Sequence, residues 1–264
     1  MLSMQKVSKI FNVGSVNERL ALNNVTLHLS PGEVVTVIGG NGAGKSTLMN
    51  IIAGVYPLDS GHINIGGQHI ESLPEHRRAA YIGRVFQDPL LGTAASMTIE
   101  ENLAMALKRG NKRGLCWGIK QKDRNLFREH LSLLELGLEN RLTAKVGLLS
   151  GGQRQALTLL MATLVPPKLL LLDEHTAALD PHTGQKVLEL TETIVKKYQL
   201  TTLMITHNME DALRIGSRTI MMHEGQIILD IKGSKRQNTS IGELLTMFKK
   251  ASGQELASDR MLLA

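Results

Sequence analysis

The segment Gly39-Gly40-Asn41-Gly42-Ala43-Gly44-Lys45-Ser46, with Thr47 behind it, has the spacing of a glycine-rich phosphate loop. Glycines let successive backbone N–H groups turn inward around phosphate oxygens, and the helix that follows adds the partial positive charge of its N-terminus. Lys45 then reaches the outer phosphates and Ser46 offers a hydroxyl to Mg²⁺. A nucleoside triphosphate is the ligand this chemistry fits. Further along, Leu169-Leu170-Leu171-Leu172-Asp173-Glu174 reads as a buried strand ending in two acids. Asp173 stands where a carboxylate meets the metal, at the carboxyl edge of a parallel sheet. Glu174, one residue on, is placed to orient or deprotonate a water attacking the γ-phosphorus.

Leu149-Ser150-Gly151-Gly152-Gln153 is a further anion-binding candidate. Ser150 and Gln153 have the spacing of a capping box, which predicts a helix start. Two glycines in a first helical turn cost about 1 kcal/mol each relative to alanine, so stability alone does not account for them. Bare backbone at the positive end of a helix suits an anion. Since the phosphate loop already cradles one side of a nucleotide, this second anion site is expected to serve a nucleotide from elsewhere.

The elements that must position these groups follow from periodicity. Val25, Leu27 and Leu29 alternate with polar residues, which predicts an antiparallel β start, and Pro31-Gly32 turns the chain into a buried strand over 33–38. Short strands are expected over 62–65 and 81–85, then a helical pattern from Thr98, with Glu101 at capping-box spacing, to about Leu136. From Leu149 helix and strand alternate: helix 150–164, strand 169–173, helix 181–198, strand 201–206. Alternation of this kind implies a parallel sheet with helices on its faces. Strands 219–222 and 226–230, joined through Glu224-Gly225, and a helix capped by Ser240 with Glu243 close the chain. The helical block after Gln87 reads as an insertion into that core.

Taken together, the phosphate loop, Asp173-Glu174 and Leu149-Ser150-Gly151-Gly152-Gln153 resemble the nucleotide-binding subunit of ATP-binding cassette (ABC) transporters, over nearly the whole chain. The resemblance implies an α/β fold: a P-loop NTPase core with a parallel sheet, an N-terminal antiparallel β subdomain and an inserted helical subdomain at about 88–160. These form a single ABC ATPase domain over 1–250, with 251–264 as a tail. It also implies a head-to-tail dimer in which each ATP lies between the phosphate loop of one copy and Ser150 to Gln153 of the other. Gln87 looks like the glutamine that senses Mg²⁺ and the attacking water. His207 looks like the switch histidine on the γ-phosphate. Leu179-Asp180-Pro181 resembles the loop crossing the dimer interface, and Phe11 sits where the family packs an aromatic on adenine. Taken alone, Asp180-Pro181 is also a good helix cap with proline at the first helical position, and His207 could be structural. His175 departs from the pattern, since the family usually has proline there.

The strings GTAASMTIEENL, KRGNKRGLCWGI and LLLLDEHTAALDP are similar to ATPase subunits of bacterial uptake systems for tryptophan or other aromatic amino acids. That kinship implies an integral membrane permease, an extracytoplasmic substrate-binding protein and a peripheral place on the cytoplasmic face of the membrane. Residues 87–97 are the candidate segment for docking the permease. An exporter or lipid-extruding ATPase would use the same residues, whereas a soluble ABC protein of DNA repair or translation usually needs coiled coils or two cassettes.

Composition limits the alternatives. A lone cysteine, Cys116, cannot form an internal disulfide. The apolar stretch 156–172 is broken by Pro166-Pro167 and Lys168, short of the roughly 18 uninterrupted apolar residues of a membrane span. The start of the chain does not read as a secretory signal. Net charge is +6, yet one Trp, three Tyr and four Phe are too scattered for stacking on nucleic acid, so no nucleic-acid partner is expected. The basic clusters Lys108-Arg109, Lys112-Arg113, Lys232 and Lys235-Arg236 read first as solvated surface, and second as a partner or anionic-lipid face.

Overall fold

The computed structural model describes residues 1–111 and 118–252. In chain order the elements are β1 (Leu2–Phe11), β2 (Arg19–Leu29), β3 (Val34–Gly39), α1 (Lys45–Ala53), β4 (Ser60–Ile65), β5 (Gln68–His69), α2 (Glu75–Arg78), β6 (Ile82–Val85), α3 (Ile99–Leu107), α4 (Gln121–Ser132), α5 (Gly151–Thr163), β7 (Leu169–Asp173), α6 (Pro181–Tyr198), β8 (Thr202–Ile205), α7 (Met209–Arg214), β9 (Arg218–His223), β10 (Gln226–Lys232), α8 (Gly233–Gln237) and α9 (Ile241–Ser252). They divide into two compact units, Met1–Arg78 with Leu200–Ala264, and Ala79–Gln199.

In the first unit, alternation of buried and exposed residues along β1, β2 and β4 forms a four-stranded antiparallel sheet in the order β2-β1-β4-β5. Leu2, Met4, Leu22, Leu29, Ile63 and Ile65 line its buried face. Strand β3 reads as an unbroken apolar run because it is central, with β8 and β9 parallel on its two sides. β10 returns antiparallel to β9 through Glu224 and Gly225, at φ 45° and 75°, the left-handed pair that a two-residue hairpin turn requires. Helix α9 opens as expected: the Ser240 N–H bonds the Glu243 carboxylate at 2.8 Å and the Glu243 N–H bonds the Ser240 hydroxyl at 3.3 Å. Leu244 and Phe248 of this helix then pack with Ile38, Ala212, Met221 and Ile231.

In the second unit β6 and β7 pair in parallel, Val85 opposite Leu172. Thr98 and Glu101 form the expected reciprocal cap of α3. Among the described residues of 98–136 the helical pattern is two helices, α3 and α4, which share a core of Ile99, Leu103, Phe127 and Leu131 with Ala156, Leu157 and Leu160 of α5.

Some expectations need correction. Arg236 is not solvated surface: it is 6% exposed, and its guanidinium bonds the Thr219 hydroxyl and the Ala212 and Ile215 carbonyls. Arg109 likewise turns inward, donating to the Ala162 and Val165 carbonyls at the C-terminus of α5, where helix carbonyls lack intrahelical partners. A count of charges carries no information on which guanidinium satisfies a buried carbonyl. The short helices α2, α7 and α8 lack the length for a periodic signal. Lys112, Arg113, Cys116 and the tail after 252 lie outside the described residues.

Candidate functional site

The first unit builds the phosphate loop from a strand, a left-handed turn and a helix. Gly39 leaves β3 at φ 149°, and a Cβ there would lie 2.3 Å from the Met222 carbonyl, so only glycine fits. Gly44 caps α1 at φ 100°, with the space of its missing Cβ 2.6 Å from the Ala21 carbonyl. The loop is pinned from outside: the Gly225 N–H bonds the Ala43 carbonyl at 3.0 Å, and the Arg19 guanidinium bonds the Gly42 carbonyl at 2.7 Å. The Lys45 ammonium curls back to the Gly39 and Gly40 carbonyls at 2.7 and 3.1 Å, which closes the loop into a ring. Asn41, Gly42 and Ser46 are exposed at its mouth, Thr47 half-buried beside them. The N–H groups that open α1 have no intrahelical partner and carry the positive end of the helix dipole.

His207 belongs to the same edge. The Thr206 N–H bonds the Val37 carbonyl at 3.2 Å, so the chain leaves β8 beside the point where β3 enters the loop, and His207 is the exposed residue that follows. Asn208 fixes its exit, accepting from the Glu210 and Asp211 N–H groups to cap α7. Phe11 ends β1 opposite Arg19, half-buried, with the edge of Tyr56 against it at a 5.2 Å centroid distance.

The second unit assembles the acids. β6 and β7 end together, which brings Gln87, Asp173 and Glu174 to one carboxyl edge, Gln87 exposed and the two acids half-buried. Asp173 Oδ2 accepts from the Arg84 guanidinium at 3.3 Å, while Arg84 lies over the Phe86 ring at 4.5 Å. Glu174 has φ 47°, a left-handed conformation that costs a non-glycine residue energy and recurs at functional sites. His175 is 1% exposed; burial pushes its imidazole down to about 4, so it is neutral, and its Nε2 pairs with the Thr191 hydroxyl at 3.0 Å.

The N-termini of α5 and α6 lie side by side. Ser150 and Gln153 form a reciprocal cap. Asp180 caps α6 by accepting from the Thr183 N–H at 3.0 Å, and bonds from Thr183 hold its carboxyl below the usual range. Gly151 is exposed, with Leu179 in ordinary contact range of a Cβ. Gly152 is different: a Cβ there would lie 2.0 Å from the Thr183 methyl. Its bareness therefore has a packing cause, close approach of α5 to α6.

One residue escaped the sequence reading. Gln155, fully buried on α5, donates through Nε2 to the Phe86 carbonyl at 3.0 Å and to the His175 carbonyl at 2.6 Å. It ties together the residue before Gln87 and the residue after Glu174. The available signal was an amide on the inward face of an otherwise apolar run.

Comparison with known proteins agrees with this geometry. Residues 22–177 match the family described as ABC transporter. The chain is 45% identical over 252 residues to the tyrosine transport ATP-binding protein of Clostridioides difficile, covering 95% of this chain and 100% of that protein. It is 36% identical over 253 residues to the methionine import ATP-binding protein MetN of Bartonella henselae, covering 92% and 70% of the two chains. Among solved structures, the dimeric post-hydrolysis state of the ATP-binding cassette MJ0796, bound to ADP and Pi, superposes with a TM-score of 0.75 at 30% identity, covering 88% of this chain and 98% of that one.

Proposed function

The chain belongs to the ABC transporter ATP-binding proteins and is an ATPase of that type, and from that premise we propose that it powers a bacterial importer of an aromatic amino acid, tyrosine or tryptophan. Its relatives in tyrosine transport and methionine import support the class of cargo and the direction. Among the described residues no helix is long and apolar enough to cross a membrane, so the path for the cargo belongs to a separate permease. An extracytoplasmic binding protein supplies selectivity, and this subunit sits peripherally on the cytoplasmic face. Residues 87–97, which include the exposed Leu90 and Leu91, form the segment that docks the permease.

In this reading the loop Gly39, Asn41, Gly42, Ala43 and Gly44 wraps the phosphates of ATP, and Lys45 exchanges its loop carbonyls for β- and γ-phosphate oxygens. Phe11 packs against adenine. The Ser46 hydroxyl, the Gln87 amide oxygen and the Asp173 carboxylate are hard oxygen donors of the kind Mg²⁺ selects, and Thr47 extends the hydroxyl pair of the loop. Mg²⁺ would supply neutralisation of phosphate charge. Glu174 holds or deprotonates the attacking water and His207 steadies the γ-phosphate. Ser150, Gly151, Gly152 and Gln153, with Asp180 beside them, serve the ATP held by a second copy, so the dimer closes on ATP and opens after hydrolysis.

The observation that carries this reading is the opening of α5, where Ser150 caps a helix whose positive end begins at an exposed Gly151. Glu174→Gln tests it: ATP affinity is retained, a dimer accumulates with ATP in size-exclusion chromatography, and turnover falls about 10²–10⁴-fold. Undiminished turnover refutes the role given to Glu174. Reconstitution with the copurifying permease and receptor tests the cargo, since only an aromatic amino acid should stimulate hydrolysis.

A further inference from the structure

The β4–β5 hairpin carries a cluster that nucleotide chemistry does not use. Asn64 pairs with His69 and Ile65 with Gln68, and the Ile70 N–H continues the ladder to the Ile63 carbonyl at 3.0 Å. Strand alternation sends Ile63, Ile65 and Ile70 to the buried face, each 0% exposed. The opposite face receives His62, His69 and Glu71. Both imidazoles turn their Nδ1 atoms to one oxygen, Glu71 Oε1, at 3.0 and 3.1 Å, with the rings edge to face at 5.9 Å.

We propose that His62, His69 and Glu71 form a surface site for a divalent transition ion of the zinc type. One ligating atom from each residue lies within 4.8 Å of the other two. Tetrahedral zinc with nitrogen and oxygen ligands at its usual bond lengths needs ligand atoms roughly 3.3 Å apart. Two of the edges are therefore already close to that length, and rotation of side chains that are 66% exposed closes the third. Two imidazoles with one carboxylate select a borderline ion over Mg²⁺ or Ca²⁺, which prefer all-oxygen shells. Binding involves no redox change: each neutral ring, whose Nδ1–H donates to Glu71 Oε1 without the ion, shifts that proton to Nε2 through solvent and gives the ion its Nδ1 lone pair, and water fills the remaining position.

The surroundings hold the carboxylate in place, as outer-shell partners do in metal sites. The Ile63 N–H bonds Glu71 Oε2 at 3.3 Å. The Glu71 carbonyl accepts from Arg78 at 3.0 Å, and Arg78, 3% exposed, is itself tied to the Leu73, Ile51 and Ile52 carbonyls. The ion would clamp the two-residue edge strand β5 to β4.

The test titrates zinc chloride into the metal-stripped full chain by calorimetry, beside His62→Ala, His69→Ala and Glu71→Gln. One zinc per chain is expected at this site, at least about tenfold weaker in each variant. Zinc should also raise the melting temperature of the native chain and not that of the His62→Ala, His69→Ala double variant, whose basal ATP hydrolysis stays unchanged. Equal zinc affinity in the native chain and the double variant overturns the site, as does binding of Mg²⁺ in preference to zinc. Because the exposed histidines carry no core packing, a folded double variant is expected, and its unchanged ATPase rate verifies it.

Discussion

Gln155→Leu is the perturbation that separates positioning from packing. Leucine keeps nearly the volume of glutamine, so the cavity term is small. Loss of the amide leaves the Phe86 and His175 carbonyls without their donor, at about 1–3 kcal/mol for each buried orphan. Against this, Gln155 Oε1 is itself buried without a partner, and its removal returns about 1–3 kcal/mol. The net expectation is a destabilisation of roughly 1–3 kcal/mol, read as a lower urea midpoint at unchanged slope. The functional effect should be larger than the structural one. Without the tie, the segments bearing Gln87 and Glu174 are no longer held to a common point, and misplacement by about 1 Å costs on the order of 10²-fold in rate. ATP hydrolysis assays should therefore show kcat falling roughly 10- to 100-fold with KM for ATP nearly constant, because the phosphate grip rests on the Lys45 loop. A variant that loses stability yet keeps kcat refutes the reasoning, since Gln155 would then be a core residue and nothing more.

Two further outcomes follow from the geometry. Gly39→Ala should cost at least about 2 kcal/mol and abolish ATP binding, because a methyl group 2.3 Å from the Met222 carbonyl forces the loop off β3; thermal melting and nucleotide titration check both effects. Burial opposes the charge of Asp59, but the Ile10 N–H and the Lys9 ammonium at 2.9 Å outweigh it and hold the carboxyl below its usual 3.8. The stability this contributes is present above the unfolded carboxylate range and is lost as pH falls through the lowered value. Between pH 5 and pH 3 the native chain should lose more unfolding free energy than Asp59→Asn, and parallel slopes would show that the Lys9 pair is not involved.

What the sequence revealed depended on how local its cause was. The bounds of β7 and α6 coincide with expectation because an apolar run before Asp173 and a cap at Asp180-Pro181 are signals written within a few residues. The caps at Thr98, Ser150 and Ser240 are equally local. The family motifs identified the α/β architecture for the same reason, since phosphate chemistry dictates residue types at fixed spacing. What escaped was set by partners distant in the chain. Gly152 is bare because Thr183 lies against it, Arg236 is buried because Ala212 and Ile215 need donors, and Gln155 bridges carbonyls 69 and 20 residues away. No periodicity records such pairings, because each depends on where another segment comes to rest.

The turn at Glu224-Gly225 has a consequence for how nucleotide affinity is inherited along the polypeptide. Its amide fastens to Ala43 while its carbonyl takes the Asn23 N–H at 2.9 Å, so two strands separated by some two hundred residues brace the same few loop atoms. A fragment ending ahead of Met222 would keep every residue of the motif and still forfeit its rigidity. During synthesis, then, competence to hold ATP should arrive late, when the ribosome has released β10, long after the glycines themselves have emerged.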